Sequence, residues 1–263
     1  MSLQRIKELR PDVTDYVLHS TRNEGWERNR DSAFDRLKNI LCWGFIRATF
    51  GEKVHTVSRT SVKTVVGKYP AVSFTEQPLS CFIKSIEADH RYTEFAIAVR
   101  KDELFAYGGR PVIYGTRDDL KELNLPEDRK YLWATYNPLE NIDWTHEREW
   151  RVRPNEPENK RIGLYSDLPA QWVETHNFPL LHRVPIFLPY LSFPSITKFM
   201  ILVDTEQRKS ELTKWIGDNQ GKISEKGDYW RSYATALNSV QILSFEKVKQ
   251  NAMGRIEDFL KML

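Results

Sequence analysis

The residue pattern predicts an α+β chain, and two observations carry the prediction. Short apolar or alternating runs bounded by turn residues recur at 16–21, 71–76, 94–99 and 199–203. Their length and their content of β-branched and aromatic residues are those of strands. Stretches with helical spacing separate them: Phe34, Leu37, Ile40 and Leu41 recur on one face of 32–43, and Leu212, Trp215 and Ile216 on one face of 205–218. At 263 residues the chain is near the upper size for one hydrophobic core. One elaborated domain, or a domain of 1–158 with 159–263 as an outer layer or small second lobe, both fit.

Composition narrows the classes further. A hydrophobic content of 40% with 12% aromatics supports a sizeable core, and a net charge of +3 does not argue for nucleic acid from the overall balance. Cys42 and Cys81 sit in apolar settings, which predicts reduced, buried thiols and a cytoplasmic protein. The first ten residues contain no apolar signal core, and no apolar run is long enough to span a membrane.

In order, 2–10 reads as a short amphipathic helix closed by Pro11. The strand at 16–21 runs into a polar loop, with His19 near its end, as a hydrogen-bonded histidine or a ligand-facing one. Ser32 is placed to cap the next helix and Gly44 to stop it. Residues 47–69 read as a loop or hairpin. At 71–76, Ser73 and Thr75 share one face of a strand and Val72 and Phe74 the other, and Pro78 opens a helix. The run at 94–99 reads as a central strand, followed by a helix at 102–107, a Gly108-Gly109 turn, a short strand at 111–114 and a helix at 117–124. Residues 130–135 fit strand or helix. The apolar run 183–190, with Pro185 and Pro189, reads as an edge strand or irregular segment. The end of the chain adds a strand at 240–243 and a helix at 245–263.

The stretch from Asp143 to Arg153 is the most informative. Read as one strand, Glu147, Glu149, Arg151 and Arg153 share a face, while Trp150 and Val152 enter a core. Two carboxylates followed by two guanidiniums can set a carboxylate in a cleft. They can also form a solvated ladder of Glu and Arg pairs, the commoner fate of such a face.

Three strands thus carry polar residues in the order His19, then Ser73 and Thr75, then Glu147 and Glu149. Together with the segments Leu18-His19-Ser20-Thr21, Val72-Ser73-Phe74-Thr75-Glu76-Gln77-Pro78-Leu79, Phe95-Ala96-Ile97-Ala98-Val99, Gly109-Arg110-Pro111-Val112-Ile113-Tyr114 and Glu147-Arg148-Glu149-Trp150-Arg151, this order resembles a bacterial family of abortive-infection phage-resistance proteins of the AbiGi type. Behind it stands a resemblance to the ADP-ribosyltransferase superfamily. The resemblance covers roughly 16–153. It implies a split mixed β-sheet around a cleft with flanking helices, over domain 1–158.

The resemblance also implies a chemistry. NAD would be the substrate of an ADP-ribosyltransferase or NAD glycohydrolase acting in antiphage defence, abortive infection or a toxin–antitoxin module. Glu149 would hold a ribose hydroxyl and stabilise charge on the sugar, and Glu147 would orient the acceptor or take its proton. His19, Ser20, Arg22, Ser73 and Thr75 would bind NAD, Arg22 through the diphosphate. The acceptor, protein or nucleic acid, stays open, as does a partner protein of the module. The motif mixes two branches of the superfamily: a His in first place, and a Ser-Phe-Thr and Glu-x-Glu in the later places. A non-catalytic interaction protein or antitoxin of a two-gene system is the alternative, and a metal-dependent nuclease a lesser one. No metal-ligand spacing is evident.

Overall fold

A computed structural model describes residues 13–21, 33–49, 52–54, 61–88, 93–140, 142–153, 183–185, 199–225 and 228–250. The expected helix at 2–10, Arg22, Ser32, the loop 154–161, most of 183–190 and the end of the last helix lie outside them. In chain order the strands are β1 (Tyr16–Ser20), β2 (Phe45–Arg47), β3 (Glu52–Val54), β4 (Ser61–Lys63), β5 (Val72–Thr75), β6 (Ala96–Arg100), β7 (Arg110–Pro111), β8 (Ile113–Gly115), β9 (Trp133–Thr135), β10 (Glu149–Val152), β11 (Arg183–Pro185), β12 (Met200–Val203) and β13 (Gln241–Ser244). The helices are α1 (Ala33–Trp43), α2 (Leu79–Ala88), α3 (Lys101–Ala106), α4 (Arg117–Glu122), α5 (Glu206–Ser224), α6 (Asp228–Asn238) and α7 (Phe245–Gln250). The fold is α+β with mixed sheet, and no helix among the described residues is long and apolar enough to cross a membrane.

The chain divides into two interleaved units: 1–45, 76–103 and 185–263 form the first, and 46–75 and 104–184 the second. In the first, strands run in the order β13-β12-β6-β1. β1 pairs with β6 antiparallel, β6 with β12 antiparallel, and β12 with β13 parallel. A parallel pair needs a crossover, and α5 and α6 supply it. Tyr16, Leu18, Ala96, Ala98, Met200 and Leu202 pack against Leu79, Phe82 and Ile86 of α2 and against Phe245 and Val248 of α7. Val17, Ile97 and Ile201, which alternate onto the opposite face, are fully buried too. Burial on both faces explains why 94–99 and 199–203 read as continuous apolar runs rather than alternating ones.

Helix α1 ends where the sequence predicts. Gly44 takes φ +66° and its N–H returns to the Ile40 carbonyl at 2.7 Å, the left-handed stop that glycine adopts without steric cost. Tyr233 of α6 donates its hydroxyl to the Leu41 carbonyl at 2.7 Å, so the burial of a large phenol leaves no polar atom unpaired. Neither thiol is fully buried as expected. Cys42 is half-buried, but Cys81 is exposed, because α2 turns Leu79, Phe82 and Ile86 to the core and Cys81 falls on the other side.

The second unit contains strands in the order β5-β10-β7, both pairs antiparallel. A β3–β4 hairpin fills part of 47–69. The 111–114 strand is split: β7 pairs with β10, whereas β8 pairs in parallel with β9. Residues 130–135 resolve into one 3-10 turn, Lys130–Leu132, and then β9. Gly115 lies so close to Trp133 that an added Cβ would meet the indole at 2.4 Å, which fixes glycine at that place. β2 and β11 form a separate two-stranded pair.

A polar knot closes the end of β1 within the first unit. Buried Thr21 donates its hydroxyl to the carbonyls of Ala33 (2.8 Å) and Phe95 (3.1 Å), and Thr93 donates to the Thr21 carbonyl. Thr21→Val keeps the shape and removes the donor. It should lower unfolding stability by about 1–3 kcal/mol, read as a reduced denaturation midpoint with an unchanged slope.

Candidate functional site

The chemically dense site lies in the second unit, where β10 begins. The stretch 143–153 is not one continuous strand. Thr145–Glu147 is a 3-10 turn, Arg148 follows in the left-handed region at φ +44°, and β10 starts only at Glu149. A left-handed arginine costs of order 1 kcal/mol relative to glycine. Its effect is to reverse the backbone between the two glutamates. Glu147 therefore does not share a strand face with Glu149. The predicted Glu-x-Glu ladder is corrected on this point, and the physical reason is that turn.

The remaining facing is as the alternation predicts. Glu149 is opposite Thr75, Trp150 opposite Phe74, Arg151 opposite Ser73 and Val152 opposite Val72. Directly opposed residues of an antiparallel pair share a face. Thr75, Ser73, Glu149 and Arg151 thus form the polar face, with Trp150, Phe74, Val152 and Val72 on the apolar one. Thr75 holds the turn in place by donating its hydroxyl to the Glu147 carbonyl at 2.5 Å.

Arg151 is the anchor. Its side chain is 3% exposed and that of Glu149 11%. Nε donates to Glu149 Oε1 at 2.8 Å and Nη2 to Oε2 at 2.9 Å, a two-pronged match between guanidinium and carboxylate. Nη1 donates to the carbonyls of Tyr131 (2.9 Å) and Trp133 (2.7 Å), and Nη2 also to that of Thr64 (3.3 Å). All five guanidinium N–H groups are thereby engaged. The buried charge is neutralised by Glu149 and every donor satisfied, the condition under which such burial is tolerated.

Tyr114 completes the site. Its hydroxyl accepts the Glu149 backbone N–H at 2.9 Å. Burial pushes the phenol up to about 12, the Glu149 N–H works against that shift, and the nearby carboxylates of Glu149 and Glu147 reinforce it. Tyr114, Glu149 and Arg151 therefore meet at the start of β10, and Glu147 ends the turn just before it. Chemically, the group offers a fixed anion in Glu149, a second carboxylate from the turn in Glu147, and a hydroxyl that stays protonated throughout the physiological range.

The other residues singled out in the sequence lie as follows. His19, half-buried on β1 of the first unit, is opposite Ile97. Ser20 exchanges hydrogen bonds with the backbone of Thr93, its hydroxyl donating to the carbonyl at 3.2 Å and accepting the N–H at 3.3 Å. Arg22 lies outside the described residues. The spacing puts Glu149 and Arg151 on one strand face as a solvated ladder, whereas the pair is buried. Tyr114 ends one of the resembling segments, yet the sequence gives it no role at the site. Among the described residues no group of three or more His, Cys, Asp or Glu is arranged to hold a metal ion.

No protein-family model matches the chain, and neither a curated protein nor a solved structure shows significant similarity to it.

The raised phenol has a pH consequence. The folded state retains the Tyr114 proton above the ordinary tyrosine value near 10, so the unfolded chain releases it first. Stability is full below about pH 10 and falls as pH rises towards 12. Tyr131 is also held above its ordinary value by burial, so the comparison needs a variant. Tyr114→Phe should show a shallower loss of stability over that window than the wild-type chain. Because the variant also leaves the Glu149 N–H without its acceptor, it should start about 1–3 kcal/mol lower at neutral pH.

Proposed function

We propose that the protein is an ADP-ribosyltransferase or NAD glycohydrolase of an antiphage defence or toxin module, with the start of β10 as its reacting end. One observation carries this reading: Glu149 is held rigidly by Arg151 while Glu147 and Tyr114 stand beside it. In the reaction the bond between nicotinamide and ribose breaks heterolytically. Its electron pair leaves with the ring nitrogen, and positive charge builds on the sugar. Water or an acceptor then bonds to that carbon and gives up a proton. A preorganised carboxylate stabilises the developing charge without reorganisation. Arg151 uses one lone pair of each Glu149 oxygen, leaving the second for a ribose hydroxyl. Glu147 would take the proton from the incoming nucleophile. The roles of His19, Ser73 and Thr75 towards NAD, and the defence context, rest on the resemblance of the ordered motifs.

A specific observation favours a second reading, the non-catalytic interaction protein. Both oxygens of Glu149 are already bound by a buried arginine, as in a structural ion pair. The two readings separate in a nicotinamide-release assay with purified protein and NAD, without divalent metal, with and without cell extract as acceptor. Nicotinamide should appear, and Glu147→Gln should slow its release about 100-fold without shifting thermal unfolding. Glu149→Gln should also abolish release, but it disturbs Arg151 and is read only beside a folding control. Absence of nicotinamide in both conditions would put the interaction protein in its place.

A further inference from the structure

The second unit carries a second polar feature that the NAD reading does not use. Arg110 on β7 is directly opposite Arg151, and Arg153 follows Arg151 by two residues. Arg110 and Arg151 therefore belong to one face, and Arg153 comes directly after the last residue of β10. Arg151 is buried and neutralised by Glu149. Arg110 and Arg153, both half-buried, have no carboxylate partner among the described residues.

Both guanidiniums are nevertheless preorganised. Arg110 lies over the Phe105 ring at 3.8 Å and donates through Nη1 to the carbonyls of Phe105 and Gly109, each at 2.7 Å. Its Nε and Nη2 are left to meet a ligand. Arg153 lies over the Tyr69 ring at 4.3 Å. A third guanidinium, exposed Arg129, is near enough with these two to act electrostatically on Tyr131. Arg129 is paired with its own neighbour Asp128, at 3.9 Å. Arg110, Arg129 and Arg153 thus act on one buried tyrosine, with the carboxylate of Asp128 opposing them there.

We infer that this face, centred on Arg110 and Arg153, binds the phosphodiester backbone of a single-stranded nucleic acid. Charge complementarity selects an anion, and the residue type selects which anion. The planar guanidinium fork matches phosphate oxygens two at a time, where a lysine would be a point charge. Phe105 is 51% exposed next to Arg110. An exposed ring beside a cation is the arrangement on which an unpaired base stacks. A duplex keeps its bases inside and would use only the charges.

The test is fluorescence anisotropy of the full chain with short labelled single-stranded RNA and DNA, a duplex of equal length, an oligoglutamate peptide, and unlabelled NAD as competitor. Single strands should bind, and more tightly than the duplex or the peptide. Arg110→Gln with Arg153→Gln should weaken binding at least about tenfold and reduce the slope of log affinity against log salt by about 1.4, two phosphate contacts at roughly 0.7 each. Arg110→Lys with Arg153→Lys keeps the charge, so it should hold most of the salt slope while losing affinity, and it also serves if the glutamine pair fails to fold. An unchanged affinity and slope in the folded variants, equal binding of the peptide, or displacement of the oligonucleotide by NAD at its own binding concentration would each overturn the assignment. Nicotinamide release does not enter these readouts, so failure here is distinguishable from failure of the NAD reading.

Discussion

The second unit depends on one buried guanidinium. Arg151 reaches from β10 to the carbonyls of Thr64, Tyr131 and Trp133 and to the carboxylate of Glu149. These acceptors come from separate segments: the end of the β3–β4 hairpin, the 3-10 turn before β9, β9 itself, and β10. Apolar packing accompanies it, with Val65, Ala71, Tyr131 and Leu132 forming one cluster and Val72, Phe74, Trp133 and Val152 buried as well. Hydrogen bonds to a fixed fork have direction, so they specify how those segments meet in a way that apolar contact does not. Such a device is costly to disturb, because removing either ion leaves the other buried without a partner.

The same constraint prepares the candidate site. Glu149 cannot swing, since both its oxygens are held and its own N–H is bonded to Tyr114. Thr75 fixes the preceding turn through the Glu147 carbonyl, and Arg148 absorbs the reversal in a left-handed conformation. A non-glycine residue kept there by its surroundings is a form of stored strain that often accompanies function. Fixing a carboxylate and a phenol together, with the turn that carries Glu147 held beside them, reduces the reorganisation that chemistry at this place would require.

Much of the architecture was legible because its causes are local. Strands buried on both faces appear as unbroken apolar runs, as at Ala96–Arg100 and Met200–Val203; Gly44 and Pro78 mark helix ends; Trp150 with Val152, and Val72 with Phe74, follow the two-residue period. The misplaced features depend on tertiary partners. Glu147 alternates correctly with Glu149 on paper, yet the hydrogen bond from Thr75, 72 residues away in sequence, belongs to a turn that period-two patterning does not encode. Cys81 sits among apolar neighbours in sequence but on the solvent side of its helix. Tyr114 entered the site through a strand that splits at Val112, and the role of Arg151 required carbonyls from segments the sequence does not juxtapose.

The most direct test is a double-mutant cycle between Glu149 and Arg151, using Glu149→Gln, Arg151→Met and the pair, with unfolding free energies from chemical denaturation. A buried, fully satisfied pair predicts a coupling energy of about 2 kcal/mol or more, with Arg151→Met alone costing roughly 3–5 kcal/mol. A coupling below about 0.5 kcal/mol, the behaviour of an exposed ion pair, would contradict the account and leave Glu149 without the anchor on which the site is built.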